Sequence, residues 1–255
     1  ICASILSKKL AEGIDVLVLD VKFGRGAFMK EKARAKELAL ALVSAATAMG
    51  KPTRAVLTAM DEPLGRTVGN ALEVAESIDC LKGRGPADTM AVTYALGEQM
   101  LLLAKVAATR EDARRQLEVS ITSGAALKKF RDLIAAQGGE ARVAEEPARL
   151  PQAKNQVTLT APRAGHVQEV DAMAVAVAAL RLGAGRAKAE DKIDPAVGVG
   201  GLVKIGQQVE AGAPLCVIHA NDERTLAEAR SMLMEAIVIG DESAMPPTLI
   251  DETIG

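Results

Sequence analysis

The first part of the chain alternates apolar runs with a segment of helical periodicity. Residues 14–21 (IDVLVLDV) form a nearly continuous apolar run, which is typical of a strand covered on both faces. Residues 31–49 repeat apolar side chains at helical spacing, and residues 53–58 return to an apolar run. This order predicts a βαβ unit. Open parallel sheets bind ligands at the carboxyl ends of their strands, so a small-molecule site is expected there.

Further helices are predicted on both sides of this unit. Residues 4–12 are predicted to be the end of a helix that Gly13 stops. Four more helices are predicted at residues 70–81, 87–108, 111–121 and 124–137. Four helices in a row after two strands indicate that the other strands of the sheet come from elsewhere, and we expect them in sequence upstream of Ile1.

The pattern changes to short β runs after a linker at residues 138–153, which contain two adjacent glycines, two prolines and mixed charge. Strands are predicted at residues 157–160, 165–170, 201–204 and 215–219, helices at 173–182 and 223–234, and a loose tail at 246–255. The segments 161–170 and 206–220 resemble the two halves of the β-sandwich of a biotinyl or lipoyl carrier module. Those carriers modify a lysine in a hairpin turn, and residues 210–212 contain none, so a structural use is favoured.

The predicted fold class is α/β, followed by an α+β C-terminal domain. A mixed or parallel sheet flanked by helices, incomplete in this chain, precedes a domain with a barrel-sandwich-like β part. The predicted parts are 1–13, the last helix of a truncated N-terminal helical domain; 14–137, a partial central α/β domain; 138–154, a linker; and 155–255, the C-terminal α+β domain. The chain opens inside a predicted helix with Ile1 rather than Met, so we expect a piece of a longer protein.

Composition and charge argue against several classes of protein. The formal net charge of −2 gives no general attraction to nucleic acid or acidic membranes, and aromatic residues, at 2%, are too few for base-stacking platforms. No apolar run reaches the roughly 18 residues of a membrane span. The cysteines Cys2, Cys80 and Cys216 have no metal-ligand spacing, so we expect free thiols in a reducing, cytoplasmic compartment.

A serine and a lysine four residues apart, Ser4 and Lys8, share one face of the first predicted helix. A solvated helix face is the common reason for such a pair. The functional alternative is a planar ligand with carbonyls and a ring N–H, which a fixed ammonium and a hydroxyl would bind. Spacing alone leaves both alternatives open.

Other polar positions also have two interpretations. The turn Gly24–Gly26 (GRG) could cradle a phosphate, but it lacks the full glycine fingerprint, and a tight turn is favoured. Glu73 and Glu76 are spaced as on a solvated helix face. A carboxylate beside a loop rich in free carbonyls could instead hold a hard cation. His166 and His219 are isolated within strand patterns, which indicates structural roles.

Long motifs resemble the thymidine phosphorylase/pyrimidine-nucleoside phosphorylase family. They are SILSKKLAEGIDVLVLDVKFGRGAFMK (4–30), LTAMDEPLGRTVGNALEVAESIDCLKG (57–83), APRAGHVQEV (161–170), GAGRAKAEDKIDPAVGV (183–199) and GQQVEAGAPLCVIHA (206–220). The resemblance follows the same order over nearly the whole chain. It implies phosphorolysis of thymidine, and of uridine in some members, to free base and a pentose 1-phosphate.

The resemblance also assigns roles to residues of this chain. It implies that Ser4 and Lys8 hydrogen-bond the polar edge of the pyrimidine and that Phe28 packs near the base. It implies a potassium-like ion held by the carbonyls of Leu64 and Thr67 and the side chain of Glu76, where some members have alanine in place of Thr67. Inorganic phosphate is the implied co-substrate, no organic cofactor is expected, and the parent protein is expected to be a homodimer with no nucleic-acid or membrane partner.

The chain departs from the family pattern at its start. The glycine-rich phosphate loop and the arginine that completes the base pocket are expected upstream of Ile1, so we expect this chain alone to be inactive. Rival hypotheses are an AMP-type phosphorylase, a phosphoribosyltransferase such as the anthranilate enzyme, a carrier or interaction module, and a non-catalytic remnant that still binds base. The transferases lack the C-terminal β-rich domain, so residues 155–255 argue against them.

Overall fold

The structure is a computed structural model that describes residues 2–255, a mixed arrangement of helices and strands. The helices are α1 (Cys2–Ala11), α2 (Lys32–Ala48), α3 (Asn70–Leu81), α4 (Ala87–Leu103), α5 (Arg110–Thr122), α6 (Ala125–Ala136), α7 (Ala172–Leu182) and α8 (Glu223–Ala236). The strands are β1 (Leu17–Phe23), β2 (Thr53–Ala59), β3 (Asn155–Thr160), β4 (Gly165–Val170), β5 (Gly198–Gly200), β6 (Gln208–Val209), β7 (Pro214–Ala220), β8 (Ile237–Gly240) and β9 (Ile250–Ile254).

The predicted βαβ unit is confirmed. Strands β1 and β2 pair in parallel from Leu17 opposite Thr53 to Phe23 opposite Ala59, and α2 connects them. The helix packs small side chains, among them Ala35 and Ala39, against Leu57 of β2, and all three are fully buried. Strand β1 begins later than predicted, because the ladder starts where the Leu17 N–H donates to the Pro52 carbonyl at 3.0 Å.

The prediction of a loose tail is wrong, because residues 250–254 form β9. This strand runs antiparallel to β2, with Ile254 opposite Ala55, and gives the sheet order β1-β2-β9. Its acidic side chains pair with α2: Asp251 Oδ1 lies 2.7 Å from Lys32 Nζ, and Glu252 Oε1 lies 2.9 Å from Lys36 Nζ. Five residues with two acids carry little strand signal, so the partner β2 decides their conformation.

The β-rich part consists of two three-stranded sheets with α7 and α8 packed together on a shared core. The sheet orders are β3-β7-β5 and β6-β4-β8. Val167, Ile218 and Leu233 are fully buried in one apolar cluster. Within residues 2–255 these sheets do not close into a barrel. The prediction of a mixed α/β fold is therefore confirmed, whereas the barrel-sandwich-like form predicted for the C-terminal part is not. The bounds of the four predicted parts stay a prediction.

The strand predicted at 201–204 is wrong. The strand is β5, Gly198–Gly200, and the following residues turn away at Gly201, whose φ is +61°. The Leu202 N–H then donates to the Arg66 carbonyl at 3.0 Å, and the Val203 N–H donates to the Leu215 carbonyl at 2.9 Å. Residues 201–204 thus bond to separate distant residues and not to one continuous strand. The apolar run in the sequence could not distinguish this arrangement from a strand. None of the helices in the described part is long and apolar enough to cross a membrane.

Removing the apolar anchor of β9 tests whether the last strand stabilises the central sheet. Ile254 is 8% exposed, and we expect Ile254→Ala to lower the free energy of unfolding by about 2–3 kcal/mol through lost burial and a residual cavity. Met245→Ala is the control, because Met245 is 90% exposed and its loss should change stability by less than about 0.5 kcal/mol. Urea denaturation compares them. Equal midpoints would contradict the assigned role of β9.

Candidate active site

The helix α1 presents Ser4 and Lys8 one turn apart on its exposed face. Its opposite face is fixed by Leu6, which is 3% exposed and packs with Leu17 of β1 and Leu42 of α2. Lys8 lies in the last turn of α1, where a positive charge is favourable toward the helix dipole. The structure therefore presents the hydroxyl and the ammonium side by side on a supported helix.

The turn after β1 is held by hydrogen bonds, and Phe28 projects from it with 79% of its surface exposed. All three N–H groups of the Gly24–Gly26 turn are used: they donate to the Met29 carbonyl at 3.2 Å, to Asp61 Oδ1 at 3.1 Å and to the Met60 carbonyl at 2.8 Å. The structure thus favours a tight turn over a phosphate cradle. An exposed aromatic ring on such a turn is suited to packing against a flat ligand.

The Arg25 side chain fixes this turn to the β-rich part of the chain. Its guanidinium pairs with Glu169 and lies 3.7 Å from Asp171 Oδ2. Asp61, at the end of β2, accepts the Arg25 N–H through its side chain, and its carbonyl accepts the Ala172 N–H at 3.0 Å. The turn that carries Phe28 is therefore held from two sides.

A polar cluster that the sequence did not reveal lies within the central sheet. Lys22 Nζ lies 2.8 Å from Asp20 Oδ2 and donates to Thr58 Oγ1 at 3.1 Å, while the Thr58 hydroxyl donates to Asp20 Oδ1 at 2.5 Å. Thr58 is fully buried. Asp20 and Lys22 were visible as a charged end of the strand, but a strand threonine is ordinary. Only the β1–β2 register, which places Lys22 opposite Thr58, identifies the third member.

The residues predicted to hold a cation are brought together by a loop that folds over Glu76. Glu76 Oε2 accepts the Arg66 N–H at 2.9 Å, and a side chain added at Gly65 would meet Glu76 Oε1 at 2.1 Å. Burial raises the pKa of the Glu76 carboxyl above its usual range, although the Arg66 N–H partly offsets this effect. Within the described residues, the carbonyls of Leu64 and Thr67 accept no hydrogen bond.

The same loop is docked along its length on the β-rich part. The Val68 and Val199 backbones exchange two hydrogen bonds of 2.8 Å each. Arg66 and Leu202 also exchange two hydrogen bonds. Arg66 Nη1 donates to the Leu202 carbonyl at 2.9 Å, and the Leu202 N–H donates to the Arg66 carbonyl. The conformation of the loop is therefore set by a segment more than a hundred residues away.

A cavity of about 310 Å³ opens at the carboxyl end of β2. Its walls are the loop after β2, the first turn of α4, Lys204 and Ile205, and the segment 246–249. The βαβ pattern predicted a pocket at this edge, and its volume is near the lower limit for small-molecule sites. Ser4, Lys8 and Phe28 do not line it. The three residues that were predicted to bind the base therefore lie outside this cavity.

Protein-family comparisons match both parts of the chain. A family model described as the glycosyl transferase family a/b domain matches residues 2–127, and one described as the pyrimidine nucleoside phosphorylase C-terminal domain matches residues 166–240. The chain therefore combines a glycosyl transferase a/b domain with the C-terminal domain of nucleoside phosphorylases.

Similar proteins from three bacteria are all named pyrimidine-nucleoside phosphorylase. The pyrimidine-nucleoside phosphorylase of Bacillus subtilis (strain 168) is 46% identical over 255 residues, covering 99% of this chain and 59% of the relative. Those of Geobacillus stearothermophilus and Staphylococcus aureus (strain USA300) are 45% and 46% identical over 254 residues, covering 100% of this chain and 58% of each relative. The chain belongs to the pyrimidine-nucleoside phosphorylase family and spans about three-fifths of the length of these relatives.

Adding a methyl group at Gly24 tests the docking of the Phe28 turn. Gly24 has φ +112°, and an added Cβ would lie 2.8 Å from Asp61 Oδ1. The control is Gly50→Ala, because Gly50 also has positive φ, at +78°, but open space around it. Gly50→Ala should cost about 1–2 kcal/mol through its backbone alone, and we expect Gly24→Ala to cost at least about 1 kcal/mol more, because its φ is less favourable and its new methyl group meets Asp61. Equal losses in urea denaturation would show that Asp61 does not hold the turn.

Proposed function

We propose that the protein to which this chain belongs cleaves pyrimidine nucleosides with inorganic phosphate, giving the free base and a ribose or deoxyribose 1-phosphate. The observation that supports this most directly is that relatives named pyrimidine-nucleoside phosphorylase match the chain from end to end at about 46% identity. The proposal includes thymidine as a substrate and uridine as a second one. An AMP-type phosphorylase is the nearest alternative activity.

The geometry of α1 supports a base-binding role for Ser4 and Lys8. When the glycosidic bond breaks, negative charge develops on the departing pyrimidine, and an ammonium aimed at its polar edge stabilises that charge more than it stabilises the bound nucleoside. The Ser4 hydroxyl can donate to or accept from the same edge. Phe28 would pack against the ring, and phosphate would attack the oxocarbenium-like sugar from the opposite face.

We further propose a potassium-like ion beside Glu76. The donor set fits, since the carbonyls of Leu64 and Thr67 and the Glu76 carboxylate are the oxygen ligands that hard cations prefer. The buried hydroxyl of Thr89, which lies beside Gly65, lacks a hydrogen-bond partner in the described residues, which leaves a further oxygen atom in this region unsatisfied. The ion would supply positive charge that fixes the loop and offsets the buried carboxylate.

The proposal also includes a cytoplasmic location, a homodimer and a sandwich-like C-terminal part. The three cysteines are free, which is compatible with a reducing compartment such as the cytoplasm. Homodimer formation by the whole protein rests on the family resemblance alone. The two small sheets on one core are compatible with a sandwich of the carrier type, used here as a structural support.

A base-release assay tests the activity and the role of Lys8. This chain and the same reading frame extended upstream are incubated with thymidine or uridine and saturating phosphate. We expect phosphate-dependent release of base from the extended protein, and Lys8→Ala should lower kcat/KM about 10²–10³-fold because one charge-stabilising donor is lost.

Lys9→Ala is the matched control, because Lys9 shares the last turn of α1 but lies about 100° around the helix. It should change kcat/KM by less than about twofold. Equal losses in the two variants would assign the effect to general charge rather than to Lys8. No base release from the extended protein would overturn the phosphorylase proposal.

The raised pKa of Glu76 predicts a pH-dependent response to cations. A raised carboxyl pKa destabilises the folded state as pH rises through that pKa, because the buried carboxylate becomes charged. A bound cation offsets this loss, so stabilisation by KCl relative to LiCl should be small at acidic pH and grow as Glu76 ionises. Thermal melting at constant ionic strength measures it.

Glu76→Gln should abolish the difference between KCl and LiCl at all pH values. Glu228→Gln is the control, because Glu228 is exposed on α8 and should leave the response intact. If Glu76→Gln retains the wild-type difference, Glu76 is not a ligand of the ion.

A further inference from the structure

The Lys204 ammonium lies inside a ring of oxygen atoms contributed by the loop after β2 and by the first turn of α4. Its Nζ is 2.5 Å from the Pro63 carbonyl, 3.3 Å from the Gly65 carbonyl, 2.8 Å from Asp88 Oδ2 and 3.4 Å from Glu62 Oε1. The Lys204 side chain is only 17% exposed. Two carbonyls and two carboxylates around one charge are a donor set for a monovalent cation, since carbonyl oxygens can replace an ion's hydration shell.

The ring is braced from outside by backbone donors. The Gly65 N–H donates to Asp88 Oδ2 at 3.0 Å, and the Ile205 N–H donates to Glu62 Oε2 at 2.9 Å. Burial alone would raise the pKa of the Asp88 carboxyl, but the Lys204 ammonium and the N–H groups of Gly65 and Thr89 outweigh it and hold the pKa below its usual range. Both acidic members of the ring are therefore fixed in position by the fold.

We propose that this ring is a monovalent-cation position that Lys204 fills with its own ammonium, and that the filled position sets the conformation of residues 62–67. Lys204 is thus a positioning residue. Without a cation here, Asp88 and Glu62 would lie close together as unpaired carboxylates, and the carbonyls of Pro63 and Gly65 would lose their shared donor.

The ring and the proposed ion beside Glu76 use different carbonyls of the same loop. Pro63 and Gly65 face the Lys204 ammonium, whereas the carbonyls of Leu64 and Thr67 are free to bind the proposed ion. This link to the ion rests on the function proposed above. The occupancy of the ring by Lys204 does not, because it follows from the contacts alone.

The cavity at the carboxyl end of β2 gives small ions access to the ring. Lys204, Asp88 and Glu62 all line this cavity of about 310 Å³. Shortening the lysine would therefore leave a solvent-connected position with its oxygen atoms in place. Ammonium and K⁺ are small enough to occupy it, whereas tetramethylammonium cannot donate hydrogen bonds and is too large.

The experiment is chemical rescue of Lys204→Ala in this chain, measured by thermal melting in four chloride salts at equal ionic strength. We expect Lys204→Ala to lower the melting temperature by several degrees in tetramethylammonium chloride, whose cation is too large for the ring, and in lithium chloride, because Li⁺ is too small for oxygen atoms spaced around an ammonium. Ammonium or potassium chloride should restore about half of the loss or more. Lys154→Ala is the control, because Lys154 is exposed and has no ion pair within the described residues, and it should show neither the loss nor the rescue.

Two results would overturn the proposal. One is that Lys204→Ala and the wild type have the same melting temperature in tetramethylammonium chloride. The other is a loss that no small cation restores, because a lysine that acts only through its hydrocarbon chain would give that outcome.

Reductive methylation of the wild-type protein gives a second test if the variant does not fold. Lys204 should be modified many times more slowly than Lys154, because four oxygen atoms surround its ammonium and little of its side chain is exposed, and Asp88→Asn should reduce this protection. Equal reactivity of Lys204 and Lys154 in the wild type would overturn the proposal.

The extended protein separates this proposal from the proposed function. If that protein is active, Lys204→Ala should raise the K⁺ concentration needed for half-maximal activity several-fold, with recovery of kcat in excess K⁺ or ammonium. An inactive extended protein would overturn the phosphorylase proposal, while the melting experiment would still decide the role of Lys204.

Discussion

The loop between β2 and α3 holds its shape because a distant segment satisfies its backbone. Val68 pairs with Val199, Arg66 with Leu202, and the Ala71 N–H donates to the Pro195 carbonyl at 3.0 Å. A glycine is needed at the closest approach: a side chain at Gly198 would lie 2.3 Å from the Val68 carbonyl. Buried backbone groups must be paired, so this contact makes the glycosyl transferase part and the C-terminal part depend on each other.

This dependence explains why the site combines contributions from both parts. The Phe28 turn is fixed by Arg25 to Glu169, and the loop that carries Leu64 and Thr67 is fixed to the segment after β5. Only α1, with Ser4 and Lys8, is supported by the first part alone, through Leu6. A change in the C-terminal part can therefore alter the loops of the candidate site while helix α1 stays in place.

Local sequence signals predicted the elements whose conformation is decided locally. The helix at residues 70–81 has the predicted bounds, and α2 differs by one residue at each end. The errors at β5 and β9 share a cause, since each strand is short and exists only through pairing with a distant partner. The roles of Ser4, Lys8 and Phe28 came from family resemblance. The oxygen ring of Lys204 gave no signal in the sequence, because its members are scattered over residues 62–204.

The place of β9 has a consequence for the order of folding. Strands β1 and β2 are close in sequence, and the helix between them lets them pair early at a small cost in loop closure. The third strand, β9, is separated from β2 by residues 60–249. During synthesis, the outer edge of β2 therefore stays open to other chains until residues 250–254 leave the ribosome. Aggregation of nascent chains at that edge is therefore a hazard until residues 250–254 have been synthesised and have paired with β2.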